Sequence, residues 1–142
     1  MNNCYYDTQM DFGPMPYVTN VPKEAMQNTN FRTAIWTGCH VQMTIMCIPV
    51  HSDIGLEIHE DTDQIIRIER GMAMVKMGKC KDRMEFQTRV CTGDTIFVPA
   101  GTWHNVINAG NIPLKVSTVY SPPHHPKGTI HRSKRDSENA DY

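Results

Sequence analysis

Four residues of this chain could converge on a metal ion: Glu57, His59, Gln64 and His104. Glu57 and His59 lie two apart in the run GLEIHEDTDQIIRIERG, which spans residues 55–71. Residues two apart on a strand share a face, so this carboxylate and this imidazole would point the same way. A short polar turn, Glu60-Asp61-Thr62-Asp63, leads to Gln64, which opens the next apolar run. If the two runs form a hairpin, Gln64 faces back towards His59. It then heads an inward row with Ile66 and Ile68, while Arg67 and Glu69 share the other face. A polar residue in such a row needs a partner, and a metal ion is one candidate. The run GDTIFVPAGTWHNVIN, residues 93–108, ends a strand at Pro99, turns through Gly101 and opens a new strand at His104. Val106 and Asn108 share the face of His104. A carboxylate, an amide oxygen and two imidazoles suit Mn, Fe, Ni or Zn, and the residue types do not rank them.

Short strands must position these side chains. Nine strand-like runs follow one another from Phe31 to Ser121, covering residues 31–36, 41–50, 54–59, 64–70, 72–77, 84–90, 95–98, 103–108 and 114–121. Gly, Pro, Asn and Asp separate them, the pattern of an all-β sandwich or barrel. In a barrel interior, strands distant in sequence face one another, which would bring His104 to the other three residues. Ahead of the barrel, residues 1–30 form an arm with a short helix near 22–28, capped by Asn20 with Pro22 in the first turn. Residues 122–142 form a Pro- and His-containing tail. Its prolines argue against a further strand, and its last dozen residues are charged and expected to be mobile. His124, His125 and His131 therefore read as solvated tail residues rather than as acids, bases or extra ligands.

The chain has 142 residues and a net charge of -1. The length favours one domain, and the balanced charge offers no basic face to nucleic acid. The opening MNNCYYDTQM lacks a basic start followed by an apolar stretch, so it does not read as a signal peptide, and Cys4 lacks the apolar run of a lipoprotein signal. No apolar run approaches the ~20 residues of a membrane-spanning helix. The five cysteines are odd in number and form no CxxC. They read as reduced thiols of a cytoplasmic protein, with Cys47 packed in its strand. The ten methionines are flexible core fillers. Trp103 faces away from His104 by parity and reads as packing, as do Phe97 and Tyr120. Arg67 belongs on an exposed strand face, and His40 and His51 read as structural or exposed.

The two runs resemble the two motifs of the cupin superfamily, G-x5-H-x-H-x3-4-E-x6-G and G-x5-P-x-G-x2-H-x3-N. The second is matched by Gly93, Pro99, Gly101, His104 and Asn108. The first keeps its second His as His59 and its closing Gly as Gly71, but has Glu57 for the first His and Gln64 for the Glu. The single ligand carboxylate has moved, so the ligand charge is unchanged. Gly55 to Glu69 and Pro122 to Thr129 also resemble a group of small single-domain bacterial cupins, the cupin type-2 conserved barrels often labelled mannose-6-phosphate isomerase-like. The zinc-dependent sugar-phosphate isomerases of the superfamily use Gln, Glu and two His in the reverse order, within much larger chains.

The resemblance implies a cupin double-stranded β-helix, or jelly-roll barrel, with an N-terminal arm and a C-terminal tail. It implies one divalent metal ion (Mn, Fe, Ni or Zn) on Glu57, His59, Gln64 and His104, and a homodimer formed by exchange of strands within residues 1–40. The expected function is that of a metal-dependent enzyme, isomerase-like or dioxygenase-like, acting on a small polar metabolite such as a sugar derivative or a hydroxy acid. The alternative is a non-catalytic cupin that binds or senses a small ligand. The lack of room for a DNA-binding domain favours the enzyme.

Overall fold

Alternating side chains give each run one apolar face, and in the computed structural model, which describes residues 10–140, these faces meet between two antiparallel sheets. The elements are α1 (Val21–Gln27), β1 (Arg32–Thr37), β2 (Gln42–Ile48), β3 (Asp63–Arg70), β4 (Met72–Gly78), β5 (Phe86–Cys91), β6 (Thr95–Val98), β7 (Trp103–Asn108), β8 (Leu114–Ser121), β9 (Ile130–His131) and α2 (Lys134–Glu138). One sheet has the order β6-β3-β8-β2-β1-β9, the other β5-β4-β7. This is the expected all-β jelly roll. Asn20 caps α1 as expected, its side chain accepting from the Lys23 N–H. The reading of Cys4 and the first part of the arm lie outside the described residues.

Strand register sorts the larger sheet's inner face by polarity. Gln42, Tyr120, Gln64 and Val98 form one row across β2, β8, β3 and β6. The next row is Thr44, Thr118, Ile66 and Ile96, with the two threonine hydroxyls 2.7 Å apart. Met46, Val116 and Ile68 follow, and then Ile48 and Leu114. These last rows join Ala73, Val75 and Val106 of the smaller sheet in the main core. Each buried Val, Ile, Leu or Met side chain among them contributes roughly 1.5–3 kcal/mol relative to exposure. The apolar end therefore holds the sheets together and leaves the polar end free to carry chemistry.

The structure departs from the sequence reading at three places. The run 54–59 is not a regular strand. It meets β7 only through single bridges at Asp53–Ile107 and Glu57–His104, and Gly55 breaks it with φ +96°. Gln64 does not face His59 across a hairpin, because β3 pairs with β6 and β8. The turn 60–62 instead carries the chain from the smaller sheet to the larger. Finally, the tail contributes a strand despite its prolines: β9 pairs with β1, Arg32 opposite His131.

The tail folds back over the barrel as a strap. Gln42 accepts hydrogen bonds from the backbone N–H groups of His124 (3.2 Å) and His125 (2.9 Å) and donates to the His125 carbonyl (2.8 Å). Arg32 lies 2.9 Å from His131 Nδ1 and donates to Ser137 at 2.7 Å. Helix α2 starts with a capping box between Ser133 and Asp136, and Lys134 pairs with Asp53. Asn105 also donates to Asp53, at 3.0 Å.

Burial alone would push the Asp53 carboxyl up, but the hydrogen bonds from Lys134 and Asn105 and the Lys134 charge outweigh it and hold it below its ordinary 3.8. A carboxyl depressed in the folded state stabilises fully above its unfolded value and loses that contribution as pH falls through the folded value. The strap is thus expected to stay anchored at neutral pH and to loosen in acid. Hydrogen exchange of the α2 amides, corrected for intrinsic rates, should show this opening as pH falls from about 5 to about 2. Asp53→Asn should raise exchange at neutral pH and remove the acid dependence; an unchanged profile would contradict the anchor.

Candidate metal centre

At the polar end, backbone bonds from the smaller sheet fix two of the four expected ligands. Glu57 and His104 exchange backbone hydrogen bonds at 3.0 and 2.9 Å, and the Gly101 N–H donates to the His59 carbonyl at 2.8 Å. Glu57 Oε1 lies 3.3 Å from His59 Nε2 and 3.4 Å from His104 Nε2. One donor atom from each of the three residues falls within 4.8 Å of the others. The same-face relation of Glu57 and His59 thus holds although their segment is no regular strand. His104 Nδ1 lies 3.0 Å from the Thr102 carbonyl. A carbonyl only accepts, so Nδ1 carries a proton, and Nε2 is the nitrogen turned towards Glu57.

Gln64 reaches this end from the other sheet. It is 2% exposed, and its register partner Tyr120 presents its ring edge-on to His59, centroids 5.9 Å apart. His59 Nε2, His104 Nε2 and Gln64 Oε1 are all buried and form no hydrogen bond with the described residues. Leaving a buried polar atom unsatisfied costs about 1–3 kcal/mol. One cation held by the Glu57 carboxylate and the His59 and His104 imidazoles would satisfy both ring nitrogens together, so this cluster fits a divalent metal ion.

Burial by itself would push the Glu57 carboxyl up, but the His104 and His59 imidazoles outweigh it and hold the group well below the usual carboxylate range. Glu57 is therefore ionised. Burial pushes the buried Tyr120 hydroxyl up, and the Glu57 charge adds to this. Burial also lowers His125, to about 2, with the Arg32 charge assisting. His124 is lowered by burial, then by His59 and Arg32.

Other residues fall differently from their sequence reading. Asn108 lies on the face of His104 but does not join the donors. Its amide donates to the Ile48 and Ile112 carbonyls at 3.1 and 3.0 Å and accepts from the Gly110 N–H at 2.9 Å, closing the turn after β7. Trp103 points away, with Lys81 over its ring at 5.6 Å. Phe97, read as core, is 67% exposed. Arg67, His40 and His51 are exposed. The tail histidines are not solvated: His125 and His131 are buried, and the ring of half-buried His124 lies 4.1 Å from that of His59. Sequence reasoning missed His124 and Gln42, because their relation spans 82 residues and leaves no local pattern.

Comparison with known proteins agrees with this architecture. The Cupin domain model matches residues 44–120. The chain belongs to the cupin family. This cupin is 53% identical to the uncharacterized protein YrkC of Bacillus subtilis (strain 168), over 99% of this chain and 77% of that protein. It is 45% identical to the uncharacterized protein L612 of Acanthamoeba polyphaga mimivirus, over 80% of this chain and 70% of that protein. The crystal structure of BH2720 from Bacillus halodurans superposes with a TM-score of 0.91 at 49% identity, covering 92% of this chain and 99% of that one.

Asn108→Ala removes three hydrogen bonds around a buried turn. It is expected to destabilise the fold by about 1–3 kcal/mol in denaturant unfolding, with the donor cluster intact. A stability equal to that of the native chain would contradict the clamp.

Proposed function

We propose that this cupin is a metal-dependent enzyme, holding one divalent ion (Mn, Fe, Ni or Zn) on Glu57, His59, Gln64 and His104 and acting on a small polar metabolite, a sugar derivative or a hydroxy acid. The observation that supports this reading is the set of buried donor atoms at one end of the barrel that lack hydrogen bonds. The four ligands carry one negative charge, so a divalent ion leaves about one positive charge and favours an oxygen-bearing anion or hydroxyl. A bound ion supplies Lewis-acid polarisation of a carbonyl or hydroxyl, and a redox-active one supplies oxygen chemistry as well.

The chain's own residues do the rest. The Thr102 carbonyl keeps the His104 Nε2 lone pair available. Ionised Glu57 offers an anionic oxygen without first losing a proton. Tyr120 keeps its proton and can donate a hydrogen bond. The apolar rows of Met46, Val116 and Ile68 exclude water from below. In this proposal the protein is cytoplasmic, with its four described cysteines free. It works as a homodimer and binds neither nucleic acid nor membrane. An apolar groove on the outer face, lined in part by Tyr17, Val18, Trp36, Val41 and Met43, supports the dimer. Among the described residues no helix is long and apolar enough to cross a membrane.

Elemental analysis of tag-free protein, beside the double variant Glu57→Ala/His59→Ala, tests the reading. The native chain should carry about one ion, and the variant almost none. Fe, Mn or Ni with oxygen uptake would mark dioxygenase-like chemistry. Zn with interconversion of sugar isomers would mark isomerase-like chemistry. A native chain that takes up no metal even on reconstitution would overturn the proposal.

A further inference from the structure

Resting on the metal reading above, we propose that His124 is a further binding residue of this centre, whose imidazole hydrogen-bonds the small oxygen-bearing molecule held there. Three observations carry it. First, the tail backbone at His124 is fixed from inside the barrel. An amide side chain offers two donor hydrogens and two acceptor lone pairs. Gln42, fully buried, uses all four: two accept from the His124 and His125 N–H groups, one donor bonds the His125 carbonyl, and the other bonds the Thr37 hydroxyl at 2.9 Å.

Second, that anchorage brings the His124 ring against the donor cluster. Its centroid lies 4.1 Å from His59, nearer than His104, which is 5.4 Å from His59. It also stacks at 5.7 Å on Tyr120, at an interplanar angle of 29°. The His124 nitrogens are nevertheless outside the set of mutually close donor atoms. His124 therefore stands beside the ligands, not among them. Third, His124 is half-buried where His59 and His104 are buried, so it flanks the cluster on the solvent side. Among the described residues its imidazole makes no hydrogen bond. An imidazole can both donate and accept, so the group is available to an exogenous oxygen or nitrogen ligand on the ion.

Azide titrated into the Co(II)-loaded chain, followed by visible absorption, tests this. His124→Ala should keep its cobalt but bind azide about three- to ten-fold more weakly, the effect of one hydrogen bond. His124→Gln, which restores a donor, should recover part of the loss; packing alone would not predict that rescue. In the intact Zn-loaded chain, the His124 ring nitrogens should shift in the NMR spectrum on azide addition, a readout that needs no variant. Equal azide affinity in His124→Ala, or unmoved His124 resonances, would overturn the inference and leave the metal reading standing. Loss of cobalt from folded His124→Ala would overturn it too, making His124 a ligand. A native chain that binds no cobalt would overturn both.

Discussion

Glu57 is shared between two imidazoles, 3.3 and 3.4 Å away, and the rest of the molecule is arranged around holding that contact. Its charge must stay where His59 and His104 can stabilise it, and the Thr102 carbonyl holds the His104 ring in place beside it. The backbone bonds of residue 57 to residue 104 and of residue 59 to residue 101 set the spacing. Bond geometry of this kind tolerates only a few tenths of an ångström. The cluster is thereby organised in advance, which would lower the reorganisation that binding an ion requires.

The larger sheet supplies the surroundings. Its inner face passes from glutamine and tyrosine, through threonine, to isoleucine, leucine and valine in successive rows. Stability and chemistry therefore occupy opposite ends of one barrel. The tail closes the arrangement from the side. Gln42, Arg32 and Asp53 each spend polar capacity on it, and buried polar groups of this sort specify one arrangement when fully satisfied.

Much of this was legible in the amino-acid order. Period-two alternation and turn residues located eight of the nine strands, all but β9, and the spacing of Glu57 and His59 placed both on one face. The clustering of His104 with them followed from barrel geometry. Three features were not legible. Gly55 interrupts the run 54–59, and a glycine's φ cannot be read from its letter. The first motif opens with a glycine six residues before its first His, a place held here by His51. That residue adopts φ +67°, the left-handed conformation that glycine takes more readily. The tail looked solvated because prolines and charges dominate it. Its partners, Gln42, Arg32 and Asp53, lie some 80 to 105 residues away, and no local pattern encodes pairing over that separation.

A single ion would satisfy the unsatisfied donors at the polar end. Anomalous diffraction from crystals of the native, metal-loaded protein, collected on both sides of the metal's absorption edge, tests it most directly. One peak is expected per chain, bonded at roughly 2.0–2.2 Å by Glu57, His59, Gln64 and His104. A peak that engages other residues, or clear density for the four side chains with no peak between them, would contradict it.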